Sequence, residues 1–193
     1  MCEVGQTGVM GAFFDHIAEP IRKFIESQHV FFVATAPLAG DGRVNLSPKG
    51  YDSFRCLGPN RVAYLDLTGS GVETIAHLRE NGRITFMFCA FDGKPNIVRL
   101  SGNGRAVLPQ SDEWDETIAH FAGSKALDGA VRSVIVAEID RAQTSCGFAV
   151  PLMEFVSERD RLLEWAEART TADVAEYWAT RNAKSIDGLP ALG

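Results

Sequence analysis

The segment whose residue types best fit a chemical site is LDLTGSGVET, at 65–74. A β-rich stretch ends there in a Thr-Gly-Ser-Gly turn, and a short helix is predicted to follow. The hydroxyls of Thr68, Ser70 and Thr74, with the unpaired N–H groups of Gly69 to Gly71 at the helix start, favour an anion such as a phosphate. The turn is therefore predicted to be a phosphate site.

The same segment allows two other interpretations. Ser70 as N-cap and Glu73 in the first turn would make an ordinary capped helix, and the residues alone leave this alternative open. Gly69 and Gly71 could also begin a dinucleotide fingerprint that uses Asp92. We set that interpretation aside, because Thr74 occupies the third glycine position and the chain continues with hairpins instead of further βαβ units.

A second candidate segment is RVNLSPKG, at 43–50. Asn45 and Ser47 share one side of a predicted strand, and Pro48 then ends the pairing. Lys49 adds a cation beside these two polar side chains. The segment is predicted to be a ligand rim, and the alternative is a polar edge strand with a solvated lysine.

Arg99 lies inside the apolar run IVRLSG and needs an anionic partner. That partner could be a ligand, or it could be a carboxylate such as Asp66 or Glu73.

The histidines are scattered and form no recognisable catalytic motif, and His77 is expected on the exposed side of its helix.

The composition narrows the classes of function. A net charge of −6 and a pI near 5.2 give no overall basic field for nucleic acid or anionic membrane. The cysteines form no CxxC pair, so neither a zinc site nor a disulfide framework is predicted, and Cys89 is expected in the core. With no signal peptide and no long apolar run, the protein is expected to be cytoplasmic, without membrane or nucleic-acid partners.

Short strands separated by turns, with helices at the periphery, predict a mainly β fold of the α+β type, an antiparallel barrel decorated by helices. A capping box at Ser157 and Asp160 is expected to start a C-terminal helix. No linker divides the chain, so 1–193 is predicted to be a single domain with a helical part at about 157–183 and a tail at 184–193. The predicted strands lie at 29–36, 43–48, 52–57, 61–67, 83–91, 95–108 (as two strands) and 131–145; the predicted helices lie at 19–28, 73–81, 111–121, 158–168 and 172–183.

The serial order of motifs resembles the pyridoxamine 5′-phosphate oxidase-related FMN-binding proteins. The matching motifs, from 29 to 109, are VATA, GRVNLSPKG, AYLDLTGSGVETIAHLREN, ITFMF and RLSGNGR. The endings SCGFAVPLMEF (145–155) and RNAKSIDGLP (181–190) resemble one uncharacterised subgroup. The resemblance implies a six-stranded Greek-key split β-barrel that forms a homodimer with FMN at the subunit interface.

The resemblance also implies roles for particular residues. Asn45, Ser47, Pro48 and Lys49 would border the isoalloxazine ring. Thr68, Gly69, Ser70, Gly71 and Thr74 would meet the phosphate, with Arg99 close to it. The last helix, with Trp178, and the tail after it are expected to pack near the flavin; the alternatives are a loose end or a cover for the core edge.

This chain departs from the vitamin-processing oxidases at Glu73 and Thr74, where those enzymes carry a basic pair. Oxidation of pyridoxamine phosphate is therefore not predicted. The expected function is an FMN-dependent oxidoreductase that passes hydride or electrons from a reduced nicotinamide to a small organic substrate. The alternatives are a non-enzymatic flavin- or haem-binding module for storage or sensing, and an enzyme that uses a deazaflavin.

Overall fold

The structure is a computed structural model that describes residues 11–193. The strands are β1 (Phe13–Phe14), β2 (Phe31–Thr35), β3 (Asn45–Lys49), β4 (Phe54–Cys56), β5 (Arg61–Leu67), β6 (Arg83–Cys89), β7 (Ile97–Val107) and β8 (Val131–Ser145). The helices are α1 (Glu19–Glu26), α2 (Glu73–Asn81), α3 (Trp114–Ala119), α4 (Arg161–Glu167) and α5 (Thr171–Arg181), with a 3₁₀ turn at Lys125–Asp128. None of the helices within this range is long and apolar enough to cross a membrane.

The strands form one antiparallel sheet in the order β3-β2-β6-β7-β8-β5-β4, with β1 paired to β8. This arrangement, a half-barrel with peripheral helices, confirms the predicted split-barrel fold. The sheet has 8 strands where six were expected. The difference comes from β1 and β4, which are only 2 and 3 residues long.

Strand β5 is apolar from Val62 to Leu65 because both of its faces are buried there. Val62 and Tyr64 point into the main core inside the barrel. Ala63 and Leu65 point to a second core, where they pack with Phe121 beside the 3₁₀ turn. Since successive side chains of a strand point to opposite faces, a strand between two cores needs no polar positions along its middle. The core therefore holds the end of β5, and the turn after it, in a fixed place.

Helix α2 has the bounds that the sequence predicts, and its start and end differ in how they are stabilised. It ends at Gly82, which adopts a left-handed conformation with φ of 71°. Its N-cap residue is Val72, which has no side-chain oxygen to act as a cap. The prediction that Ser70 could be the N-cap is therefore wrong, and the Ser70 hydroxyl is not used to cap this helix.

Other boundaries differ from the sequence prediction for identifiable reasons. The segment 95–108 is one long strand, β7, because Gly102 lets the β8 backbone approach closely: a Cβ there would lie 2.0 Å from the Glu138 carbonyl oxygen. Helix α4 begins only at Arg161, and Asp160 makes no side-chain cap bond. The capping box lies instead at Thr170 and Asp173, where it starts α5.

Candidate functional site

In the turn between β5 and α2, the carbonyl groups of Gly69 and Gly71 accept hydrogen bonds from side chains. Asn182 Nδ2 donates to the Gly69 carbonyl over 3.1 Å, and Arg132 Nη1 donates to the Gly71 carbonyl over 3.0 Å. The N–H groups of Gly69, Ser70 and Gly71 have no acceptor among residues 11–193. Several free N–H groups on neighbouring residues form a concave site for an anion.

A buried ion pair next to this turn fixes its position. Arg132 Nε and Asp66 Oδ2 lie 2.9 Å apart, and the two side chains are 4% and 1% exposed. Ser133 Oγ also donates to Asp66, over 3.1 Å. Because its guanidinium reaches both Asp66 and the Gly71 carbonyl, Arg132 ties the turn to β5 and β8.

The two predicted threonine ligands are buried and bonded within the protein. Thr68 Oγ1 donates to the Ala130 carbonyl over 2.6 Å and accepts a bond from Trp178 Nε1 over 2.8 Å. Thr74 Oγ1 accepts a bond from Asn45 Nδ2 over 3.1 Å. These hydroxyls therefore hold the elements of the site together, whereas Ser70 is exposed and its hydroxyl has no partner within residues 11–193.

The second predicted segment, β3, lies beside the turn. Its alternate residues Asn45, Ser47 and Lys49 are half-buried on one side, while Leu46 and Pro48 are exposed on the other. The Asn45–Thr74 hydrogen bond joins this strand to the start of α2. The structure thus brings together the two segments that the sequence singles out.

A cavity of about 210 Å³ lies between the two segments. Its wall includes Lys49 and Pro48 from β3, Thr68 and Gly69 from the turn, and Leu162 from α4. Lys49 forms no ion pair within residues 11–193, and its Nζ lies 6.0 Å from the centre of the Tyr64 ring. The cavity therefore combines a cation, the Gly69 end of the turn and an apolar cover.

Arg99 is not brought to this cavity. It lies near the start of β7, where its Nη1 donates to Ser145 Oγ over 3.1 Å. Neither carboxylate suggested as its partner bonds it: Asp66 is bonded to Arg132, and Glu73 accepts from the Ile186 N–H. Arg132 lies in the comparably apolar run VRSVIVAEI, and this is the arginine that has a buried carboxylate partner.

His77 is fully buried, so its predicted place on the exposed side of α2 is wrong. Its Nδ1 forms a 2.9 Å hydrogen bond with Thr35 Oγ1, and its Nε2 has no partner within the described residues. Burial lowers the pKa of His77 below that of an exposed histidine, because the charged ring loses its water. Carboxylates at Glu73, Glu80 and Asp187 oppose this shift but do not reverse it.

The C-terminal tail contacts both segments of the site. The Ile186 N–H donates to Glu73 Oε1 over 3.1 Å. Asp187 accepts a 2.7 Å bond from the Arg43 N–H and pairs with the Arg43 guanidinium. Hydrogen bonding to Arg43 lowers the pKa of Asp187, so this carboxylate is ionised at neutral pH.

Within residues 11–193, no group of three or more His, Cys, Asp or Glu side chains is arranged to hold a metal ion. Of the charged groups around the turn, Arg132 and Asp66 pair with each other, Lys49 lines the cavity, and Glu73 accepts a bond from the Ile186 N–H. Among the described residues, the site therefore offers hydrogen-bond donors, hydroxyl groups, the Lys49 ammonium and the Glu73 carboxylate.

Comparisons with known proteins found a matching family model and a similar protein. A family model described as pyridoxamine 5′-phosphate oxidase matches residues 17–146. The pyridoxamine 5′-phosphate oxidase family protein ustO of Aspergillus flavus is 41% identical over 202 residues, which cover 95% of this chain and 78% of that protein.

Solved structures show the same fold. HupZ of Group A Streptococcus aligns with a TM-score of 0.52 and 20% identity, over 65% of this chain and 91% of that one. A candidate pyridoxamine 5′-phosphate oxidase from Lactobacillus delbrueckii aligns with a TM-score of 0.51 and 15% identity, over 69% of this chain and 98% of that one. At these identities the likeness is one of fold.

Proposed function

Because the chain belongs to the pyridoxamine 5′-phosphate oxidase family, we propose that it is a flavoprotein that holds FMN between two identical subunits and works as an oxidoreductase. The proposed electron donor is a reduced nicotinamide, and the proposed acceptor is a small organic molecule. When bound, the flavin supplies the hydride and electron chemistry. The part left to the protein is to bind, orient and shield the cofactor.

The observation that carries this proposal is the turn of Gly69, Ser70 and Gly71. Its carbonyls at Gly69 and Gly71 are held by Asn182 and Arg132, while its N–H groups are free among the described residues. Backbone N–H groups at the start of a helix are a common site for a phosphate. The turn therefore fits the terminal phosphate of FMN.

Two further features fit a phosphorylated, hydroxyl-rich ligand. Lys49 lines the cavity beside the turn and can offset negative charge. Asn182 Oδ1 is buried and accepts no bond within residues 11–193. A buried acceptor without a donor is unfavourable, and a ligand hydroxyl entering beside Gly69 would supply one.

The negative charge of Glu73 disfavours binding of a strongly negative ligand at the turn. Its Oε2 lies 2.3 Å from the position that a Cβ on Gly71 would occupy, so the carboxylate stands beside the turn. The chain also lacks the basic pair of the vitamin-processing enzymes, since Glu73 and Thr74 take those positions. We therefore propose a different substrate from pyridoxamine phosphate.

The proposal of a dimer has support from the size of the cavity and from an exposed apolar segment. One subunit encloses about 210 Å³, less than the roughly 300–1,000 Å³ that ligand sites usually offer. After β8, the segment 148–156 exposes large apolar side chains, which would pack against a partner. These exposed residues are Phe148, Leu152, Met153, Phe155 and Val156.

The first experiment identifies the bound cofactor. The purified protein is denatured, and the released small molecule is characterised by absorption and mass spectrometry. FMN in near-equal molar ratio to the protein is the expected result. A Soret band in the native spectrum would indicate haem instead, and a deazaflavin would be recognised by its mass.

The second experiment tests the turn itself by a matched pair of substitutions. Ser70→Pro removes one backbone N–H, whereas Ser70→Ala removes only the hydroxyl. Loss of a charge-assisted bond should weaken FMN binding roughly tenfold to a hundredfold in Ser70→Pro, with a smaller loss in Ser70→Ala. Equal FMN affinity for Ser70→Pro and the unchanged protein, with both folded by circular dichroism, would contradict this placement.

A further inference from the structure

A second cavity, of about 280 Å³, adjoins the first cavity, which is the one beside Lys49. It lies between α1, β2 and β4. Gly50 and Ser53 line both cavities, so the turn at 50–53 separates them. We propose that the second cavity binds the small organic acceptor, and that it takes a flat aromatic molecule without negative charge. The role as acceptor site rests on the proposed function, whereas the binding itself does not.

Three phenylalanine rings and Ile25 form the apolar wall of the second cavity. Phe54 packs edge-on against Phe31 and against Phe88, with ring centres 5.0 Å apart in both pairs. Phe31 and Phe88 are buried in the core, so this wall is held in place by the fold. Aromatic rings attract a further ring in an edge-on or offset-stacked arrangement. The wall therefore fits a ligand with a flat aromatic body.

The charged side chains of the second cavity leave one negative charge uncompensated. Asp52 accepts two bonds from the Arg55 guanidinium, of 2.8 and 3.0 Å, so these two charges offset each other. Glu26, the last residue of α1, lines the cavity and forms no ion pair within residues 11–193. Its carboxylate attracts a cationic group and repels a carboxylate or a phosphate. The cavity therefore favours neutral and cationic aromatic molecules over anionic ones.

The turn between the two cavities has an unusual backbone conformation. Tyr51 and Asp52 are both left-handed, with φ of 64° and 53°, which is uncommon for residues with large side chains. Ser124 Oγ donates to the Asp52 carbonyl over 3.0 Å, and Ser53 Oγ donates to the Gly50 carbonyl over 2.6 Å. Strained conformations persist where the surrounding structure enforces them, and they cluster at ligand sites. The turn is thus a fixed partition, which lets each cavity hold its own molecule.

The same turn puts the second cavity next to the proposed position of the flavin ring. Gly50 directly follows Lys49, which lines the first cavity and is expected to border the ring. Transfer to an acceptor requires the two reacting molecules to lie side by side. The second cavity suits this requirement, because it shares part of its wall with the first.

Cys56 is a reporter of occupancy, because its thiol lines the second cavity. Burial raises the pKa of this half-buried thiol to about 11, so it reacts slowly with alkylating reagents. A molecule in the cavity should slow alkylation of Cys56 by iodoacetamide further, whereas the exposed Cys146 should react as before.

The probes are benzamidine, benzamide and benzoate, which are similar in size and carry a positive charge, no charge and a negative charge. Alkylation of each cysteine is followed by mass spectrometry of its peptide at a fixed alkaline pH. The full chain is used, with FMN bound and after its removal. Glu26→Gln removes the charge at the cavity, and Glu19→Gln makes the same change at the other end of α1 as the control.

Benzamidine and benzamide are expected to protect Cys56 without releasing FMN. Half-protection by benzoate should need a concentration about tenfold higher than that of benzamidine, because the two probes differ by two charges beside Glu26. In Glu26→Gln the concentration of benzamidine for half-protection should rise about threefold, and that of benzamide should not change. Glu19→Gln should behave as the unchanged protein does.

Protection of Cys56 by none of the probes, or equal protection by all three, would overturn this inference. Equal protection of Cys146, or release of FMN by the probes, would also overturn it, because the probes would then act outside the second cavity. Identical results for Glu26→Gln and Glu19→Gln, with the melting temperature retained, would overturn the selection by charge. Absence of FMN from the purified protein would overturn the proposed function, and protection of Cys56 would still decide whether the second cavity binds the probes.

Discussion

Replacing Arg132 with methionine tests the ion pair that lies under the turn. The change removes a cation that is bonded to Asp66 and to the Gly71 carbonyl, and it leaves the Asp66 carboxylate buried with only Ser133 as a donor. Breaking a buried pair by removing one partner typically costs about 3–5 kcal/mol of folding free energy. With roughly 2–4 °C per kcal/mol for a chain of this length, the melting temperature should fall by about 6–20 °C.

The matched control is Arg105→Met. Arg105 pairs with Glu113 through two bonds of 2.6 and 2.5 Å, but its side chain is 48% exposed and that of Glu113 is 45% exposed. An exposed pair of this kind contributes about 0–1 kcal/mol, so the melting temperature should change by less than about 4 °C. If the melting temperature falls strongly in Arg132→Met and little in Arg105→Met, the cause is the loss of a buried ion pair and not the removal of an arginine in itself.

The double change Asp66→Leu with Arg132→Met completes the test. Because no charge then remains buried, its melting temperature should lie above that of Arg132→Met alone. Both Arg132→Met and the double variant should bind FMN more weakly than the unchanged protein, because the Gly71 carbonyl has lost its donor. Thermal unfolding by circular dichroism and FMN titration are the assays. A melting temperature of Arg132→Met within about 2 °C of the unchanged protein, or a double variant less stable than Arg132→Met alone, would refute the reasoning.

Three further predictions concern pH, redox potential and assembly. Burial lowers the pKa of His77 in the folded protein, so at a pH below about 6.5 the unfolded chain binds a proton more readily than the folded one. The free energy of unfolding should therefore fall as the pH drops below about 6.5. If His77→Gln shows the same dependence of unfolding free energy on pH, His77 is not its cause. Lys49→Met should lower the reduction potential of bound FMN in a dye-equilibrated titration, because a nearby cation favours the anionic reduced flavin; an equal potential would place Lys49 away from the ring. Phe148→Ser with Val156→Ser should shift sedimentation from dimer towards monomer and release FMN, whereas a monomeric unchanged protein with flavin bound would exclude the interfacial site.

The sequence predicts the elements well where local signals and burial agree. The strands at 61–67 and 131–145 and the helix at 73–81 have the expected bounds, since β-branched and apolar residues mark the strands and Gly82 ends the helix. The segment 95–108 is predicted less well, because a glycine that permits close approach of two strands is locally identical to a glycine in a turn. What a glycine contacts depends on a strand far along the chain.

The candidate site shows the same limit. The sequence identifies both segments, 43–50 and 65–74, because their polar residues stand out against apolar strands. It does not show that Thr68 and Thr74 are bonded within the protein, since their partners, Trp178 and Asn45, are distant in sequence. It likewise does not show that Asn182 and Arg132 hold the turn, because the long-range contacts of a side chain are decided by the fold.

The contacts that close the site join residues far apart in the chain. The sequence separations are 110 for Trp178 with Thr68, 113 for Asn182 with Gly69 and 144 for Arg43 with Asp187. Contacts of this kind form late, because the entropy of closing a long loop must be overcome first. During synthesis the barrel strands and the turn emerge well before the last helix and tail do. In a nascent chain the turn at 68–71 therefore lacks its contacts with Trp178 and Asn182 until those two residues have been made.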